Sequence, residues 1–155
     1  MTPPIEELVP HARPALLLDR VVEWRGDVLV TATRIREDNP YCVAGRVGAW
    51  VGVELIAQSI AALAGLEARR AGRPVRIGFL LGTRRYRSSV GWFALGDALT
   101  IEVSREFQSD DGLGAAHGRI LAADERVLGE GLLTVFQPAR PEVVISRPTG
   151  LDAAP

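Results

Sequence analysis

The sequence predicts an α+β domain in which a curved antiparallel sheet wraps one long central helix. Three observations predict it. Trp50–Ala71 is the one long stretch with helical character, and it is apolar on nearly every side, the mark of a buried helix. After Pro74 the pattern changes to period two and keeps it to Phe136, as half-buried strands joined by turns do. Two strand-like runs precede the helix, so the order is strand, strand, helix, then about four strands. A sheet that curls over the helix supplies the cover such a helix needs.

Ile5–Val9 has room for one helical turn before Pro10 stops it. Ala15–Val22 is an apolar run of strand length, Arg25-Gly26-Asp27 is a turn, and Val28–Ile35 alternates as a returning strand. A Gly-containing loop leads through Gly45 and Gly48 to the helix. At about 1.5 Å per residue the helix is roughly 30 Å long. It ends at Arg69-Arg70-Ala71-Gly72-Arg73-Pro74, with bases in the last turn, then Gly, then Pro. Arg76–Leu81 and Thr83–Ser88 read as strand on either side of Gly82. Leu99–Ser104, Leu113–Ala122 and Val127–Phe136 form a meander with turns at Asp110-Asp111-Gly112 and Asp124-Glu125-Arg126. The domain is expected over residues 1–138. The Pro-containing segment 139–155 is expected to be an extended tail, with Val143-Val144-Ile145 able to pair at a sheet edge. Half of the helix would face out of a single concave sheet, so a dimer is expected.

The chain has 155 residues, of which 47% are hydrophobic and 24% charged, enough for one domain with a real core. Nineteen acidic residues against eighteen basic ones give a net charge of −1, which argues against a generic nucleic-acid binder. All the basic residues are Arg, a permanent fork-shaped donor suited to phosphate and carboxylate. The single Cys42 allows no internal disulfide, and no metal-ligand spacing occurs. Ala49–Ala68 is long and apolar, but it contains Glu54, Gln58 and Glu67 and is rich in Ala and Gly. Membrane insertion is therefore not expected, and neither is a secretory signal, so the expected location is cytoplasmic.

Glu54 is the most informative residue. It lies about one turn into a helix that must be buried, where an unpaired carboxylate is costly. Gln58, Ala61 and Gly65 continue its stripe, polar at one end and small along its length, as a narrow channel would require. The helix start offers backbone donors near Gly52 and Val53, suited to polarising a thioester carbonyl beside Glu54. A second reading stays open at this point: Glu54 and Gln58 as a satisfied structural pair, or facing solvent at a helix end. Trp50 and Trp92 are expected in the core or lining the channel.

Leu8-Val9-Pro10-His11-Ala12-Arg13-Pro14-Ala15-Leu16-Leu17-Leu18-Asp19-Arg20-Val21 resembles the N-terminal signature of the 3-hydroxyacyl-ACP dehydratases. Gly52-Val53-Glu54-Leu55-Ile56-Ala57-Gln58 is similar to the start of their central helix, and Leu95-Gly96-Asp97 to the Pro-Gly-Asp that opens one of their strands. Ala49–Glu54 and Gly78–Tyr86 resemble the branch found in aryl polyene and xanthomonadin-type pigment clusters. The resemblance covers about Ile5–Pro138 and implies the hot-dog fold. It also implies elimination of water from a 3-hydroxyacyl thioester in fatty-acid or polyene synthesis, with Glu54 and Gln58 in the catalytic site. Trp50, Gly52, Val53 and Gly82 would then contact substrate. No cofactor is implied, the substrate being carried on the phosphopantetheine arm of an acyl carrier protein (ACP), with Arg84, Arg85 and Arg87 as the docking patch for it.

One departure bears on mechanism. The family's His-Phe-Pro-Gly motif, whose His is the base, is missing from the shorter loop Tyr41–Ala49. His11 matches a structural position in the signature, His117 falls on a strand, and Cys42 has no partner that would activate it. The expectation is a homodimer, or a heterodimer in which a second hot-dog subunit donates the His. A hot-dog thioesterase and a non-catalytic partner subunit are the alternatives.

Overall fold

The computed structural model describes residues 1–138. The tail expected from residue 139, with its edge pairing at Val143–Ile145, lies outside the described residues. β1 (Arg20–Arg25) and β2 (Val28–Arg34) form a hairpin. β3 (Cys42–Val43), β4 (Arg46–Gly48) and a 3₁₀ turn at Ala49–Val51 lead into α1 (Gly52–Arg70). The chain continues through β5 (Phe79–Ser88), β6 (Trp92–Ala94), β7 (Ala98–Gln108), β8 (Leu113–Leu121) and β9 (Val127–Phe136). The large sheet has the order β1-β2-β7-β8-β9-β5, every neighbour antiparallel.

The sheet curls around α1 as the period-two pattern requires. Leu29, Leu99, Ile101, Val103, Ala116, Ile120 and Leu133 turn inward against Leu55, Ile56, Leu63 and Leu66 of the helix, all of them buried. No residue from Gly52 to Ala68 is exposed; only Arg69 and Arg70 are. The helix is long and apolar enough to cross a membrane, yet here it is the core of the domain.

Three local expectations are corrected. Ala15–Asp19 is not strand, although Leu16, Leu17 and Leu18 are all buried. Its backbone groups find other partners. Leu17 N–H donates to Gln58 Oε1 (2.8 Å), Thr33 donates to Leu17 O, and Arg13 donates to Leu16 O (3.0 Å) and Leu18 O (2.8 Å). Buried polar groups need partners, and side chains supply them here without a ladder. The signature Arg13 is thereby a scaffold residue, and so is Asp19, which accepts from Arg34 N–H and Arg36.

The second correction concerns β5, which continues past Gly82 as expected, through an irregularity in its pairing with β9, but begins at Phe79 rather than at Arg76. The third is a small sheet of order β3-β4-β6, whose two- and three-residue strands are too short to show alternation. It carries Trp92, with Arg46 stacked 4.1 Å from its ring centre, beside Trp50, which meets Tyr41 edge to face. Trp50 and Trp92 are 65% and 53% exposed, so neither is in the core or a channel.

Candidate active site

Among the helix residues left partly open, Glu54, Ala57, Ala61 and Ala64 form a stripe at helical spacing. This is the channel-lining stripe expected from the sequence, rotated by one position. Gln58 and Gly65 lie instead on the buried side. Gly65 is small for packing: a Cβ there would stand 1.9 Å from Leu8 O, so only glycine admits the N-terminal segment. The open stripe faces Phe79 and Leu80 of β5, Phe107 of β7, Ala116 of β8 and Val135 of β9 across a cavity of about 190 Å³. From Glu54 to Ala64 the wall runs about 15 Å at helical rise. Ala and Gly along both sides leave room for an extended apolar chain.

The two ends of the cavity are polar. At one end Glu54, about one-third exposed, presents its carboxylate to the cavity. Gln58 donates from Nε2 to Glu54 Oε1 (2.9 Å) and to Ala15 O (2.8 Å), while its own Oε1 accepts from Leu17. Fully buried and with its amide committed, Gln58 stands behind the cavity wall and does not line it. It holds the carboxylate and ties α1 to the Ala15–Leu18 segment. His11 completes this end, with Nε2 3.7 Å from Glu54 Oε1. At the other end Arg105 is gripped by Glu67 through two contacts of 2.6 and 2.7 Å, with Asp27 at 3.2 Å. The Glu67 carboxylate holds this guanidinium above its ordinary pKa despite burial.

The structure does not bring Trp50, Gly52, Val53 or Gly82 to the cavity. The Gly52 N–H is already bonded to the carbonyls of Ala49 and Trp50 within the 3₁₀ turn, so it is no free donor for a thioester. Tyr86 fills the space beside Gly52, where a Cβ would stand 2.0 Å from the phenol oxygen. Gly82 lies on the exposed edge strand.

Tyr86 donates to Ala49 O (2.6 Å) and so pins the turn that starts α1 to β5. Burial pushes its phenol from 10.0 up to about 12. A pKa raised on folding means that stability is present below pH 10 and is lost as the pH rises towards 12. Tyr86→Phe is expected to lower stability at neutral pH by about 0.5–1.5 kcal/mol through the lost hydrogen bond. It should also flatten the alkaline decline, as urea unfolding at pH 7, 10 and 11.5 will measure.

Arg84, Arg85 and Arg87 come together with His117 and Glu130 along an open groove. Their neighbours Ala116 and Leu133 point to the helix, which places His117 and Leu132 on the opposite, outer face of the sheet. The His11 neighbourhood and the Glu67–Arg105 pair were beyond sequence reasoning. Each joins residues about 40 positions apart that share no motif.

The ApeP-like family model, described as ApeP dehydratase, matches residues 3–146. Among solved structures, the dehydratase heterocomplex ApeI:P from Xenorhabdus doucetiae is 25% identical, with a TM-score of 0.87 over 94% of this chain and 97% of that one. A hypothetical thioesterase from Streptococcus pneumoniae TIGR4, solved with coenzyme A, is 17% identical, with a TM-score of 0.57 over 76% of this chain and 84% of its own. The smu.793 protein of Streptococcus mutans UA159, bound to acetyl-CoA, is 12% identical, with a TM-score of 0.60 over 83% and 94%. These last two share the fold. None of the curated proteins matches the chain.

Proposed function

The chain belongs to the ApeP-like dehydratase family, and on that premise we propose that it works as one subunit of a two-chain hot-dog dehydratase, with Glu54 as the acid. The observation that carries this reading is the Glu54 carboxylate, held from behind by Gln58 and opening on an apolar cavity. In the elimination a base removes the C2 proton, the C2–C3 double bond forms and the C3–O bond breaks. Glu54 gives its proton to the departing hydroxyl, which leaves as water. Oε1 accepts from Gln58, so Oε2 is the oxygen that carries the proton. The acyl chain lies along the Ala57–Ala61–Ala64 wall, and no cofactor takes part.

The base comes from the partner, a second hot-dog chain with the loop His that this chain lacks. The heterocomplex found for the ApeI:P proteins supports such a pairing. So does β5, an edge strand with one side unpaired, on which Leu80 of the cavity wall and its neighbour Leu81 are exposed. An apolar strand edge of this kind needs cover. The substrate arrives on the phosphopantetheine arm of an ACP in the cytoplasm, in polyene or fatty-acid synthesis.

The reading is tested by giving the paired enzyme an enoyl-ACP and, separately, an acyl-CoA. Hydration without hydrolysis is expected; release of free acid would assign the protein to the thioesterases that share its fold. For the carrier, Arg84, Arg85 and Arg87 are changed together to Glu. KM for ACP-bound substrate should rise about tenfold more than KM for a small pantetheine thioester, with the difference shrinking in salt. Equal losses on both substrates would make the cluster structural.

A further inference from the structure

His11 Nε2 lies 3.7 Å from Glu54 Oε1, and both side chains are about one-third exposed on the same cavity. The other ring nitrogen, Nδ1, is buried and has no hydrogen-bond partner among the described residues. Orphaned buried N–H groups are rare, so an unpartnered Nδ1 suits a bare lone pair better than an N–H. This geometry favours the ring tautomer with its proton on Nε2, the nitrogen that faces Glu54. In that form Nε2 has no lone pair with which to take a proton from C2.

We propose that His11 is a neutral hydrogen-bond donor that stabilises the Glu54 carboxylate formed as the hydroxyl leaves. This rests on the reading of Glu54 as the acid. Before the step 3.7 Å is too long for a hydrogen bond. Once Oε2 has given up its proton the carboxylate is charged. The Nε2–H then closes on Oε1 from one side while Gln58 donates to it at 2.9 Å from the other. A donor aimed at charge that develops in the transition state lowers the barrier, whereas one matched to the ground state does not. Since it acts through Glu54, His11 is a positioning residue.

The surrounding charges leave His11 free for this role. Arg13, in the same segment, is committed to Glu6 and to the carbonyls of Leu16 and Leu18. Arg105, on the far part of the cavity wall, is held by Glu67 and Asp27. Among the described residues, Glu54 is the acidic group within 4 Å of the ring.

The test uses the two-chain enzyme with this chain alone labelled with ¹⁵N-histidine. The sequence holds only two histidines, so His117→Gln assigns the signals. At neutral pH the His11 shifts should be those of the Nε2–H tautomer. The Nδ1–H tautomer, or an imidazolium, would overturn the proposal. In parallel, His11→Ala should lower kcat roughly 10- to 100-fold with KM changed less than about threefold. His11→Gln, whose amide N–H reaches a similar place, should recover most of that loss. Equal kcat for the Ala and Gln variants, or a loss confined to KM, would mean that His11 only packs. Unaltered kcat in both variants while Glu54→Gln is inactive would remove His11 and leave the role of Glu54 standing. An active Glu54→Gln would remove the acid itself.

Discussion

Glu54→Gln is expected to cut dehydration by the paired enzyme by about 10²-fold or more, the usual worth of a positioned acid. The substitution keeps the size of the side chain and an oxygen able to accept from Gln58, but the amide has no proton to give at neutral pH. Glu54→Ala should be as inactive. The side chain is one-third exposed, and its removal leaves Gln58 still bonded to Ala15 and Leu17. Stability should therefore change by less than about 1 kcal/mol. Single-turnover assays beside urea unfolding separate the two effects. Retention of more than about a tenth of the rate would take Glu54 out of the chemistry.

The second large effect concerns the chain on its own. Purified without its partner, it should self-associate as a dimer through β5, because Leu80 and Leu81 on the unpaired edge otherwise remain in water. That homodimer should be nearly inactive. Each of its two sites would hold a Glu54, but the Tyr41–Ala49 loop has no His to take a C2 proton, and the proposed His11 tautomer presents a donor, not a base, at Nε2. Light scattering and a 3-hydroxyacyl-ACP assay on the same sample check both halves of this expectation.

Much of the architecture was legible from pattern alone, since a helix apolar on nearly every side followed by sustained period two has few ways to bury itself. The difficulties lay where local pattern and backbone partners diverge. Ala15–Leu18 looks like a strand because it is buried, yet side chains of Arg13, Thr33 and Gln58 satisfy its backbone. Trp50 and Trp92 look like core because of their size, but they stand on a small sheet whose strands are too short to read. At the site, spacing marked Glu54 as a helix residue beside a channel, and in the structure it lines a cavity. Spacing also ran the stripe through Gln58 and Gly65, because helical periodicity alone does not say which of two adjacent rows the N-terminal segment covers. Leu8 covers the Gly65 row, which leaves Ala57, Ala61 and Ala64 open. The approach of His11 to Glu54 spans 43 positions and follows from the tertiary path of the Pro10–Leu18 segment.

The most direct measurement is complementation between two chains. Wild-type chain is mixed with a hot-dog dehydratase-family partner that carries the loop His, and turnover of 3-hydroxyacyl-ACP to enoyl-ACP is followed. Two further mixtures are assayed, one with Glu54→Gln in this chain and one with the partner's loop His replaced. Activity is expected on mixing the wild-type chains and should be lost in both of the other mixtures. Strong turnover by this chain alone, or turnover that survives either substitution, would contradict a site built from one chain's carboxylate and the other chain's base.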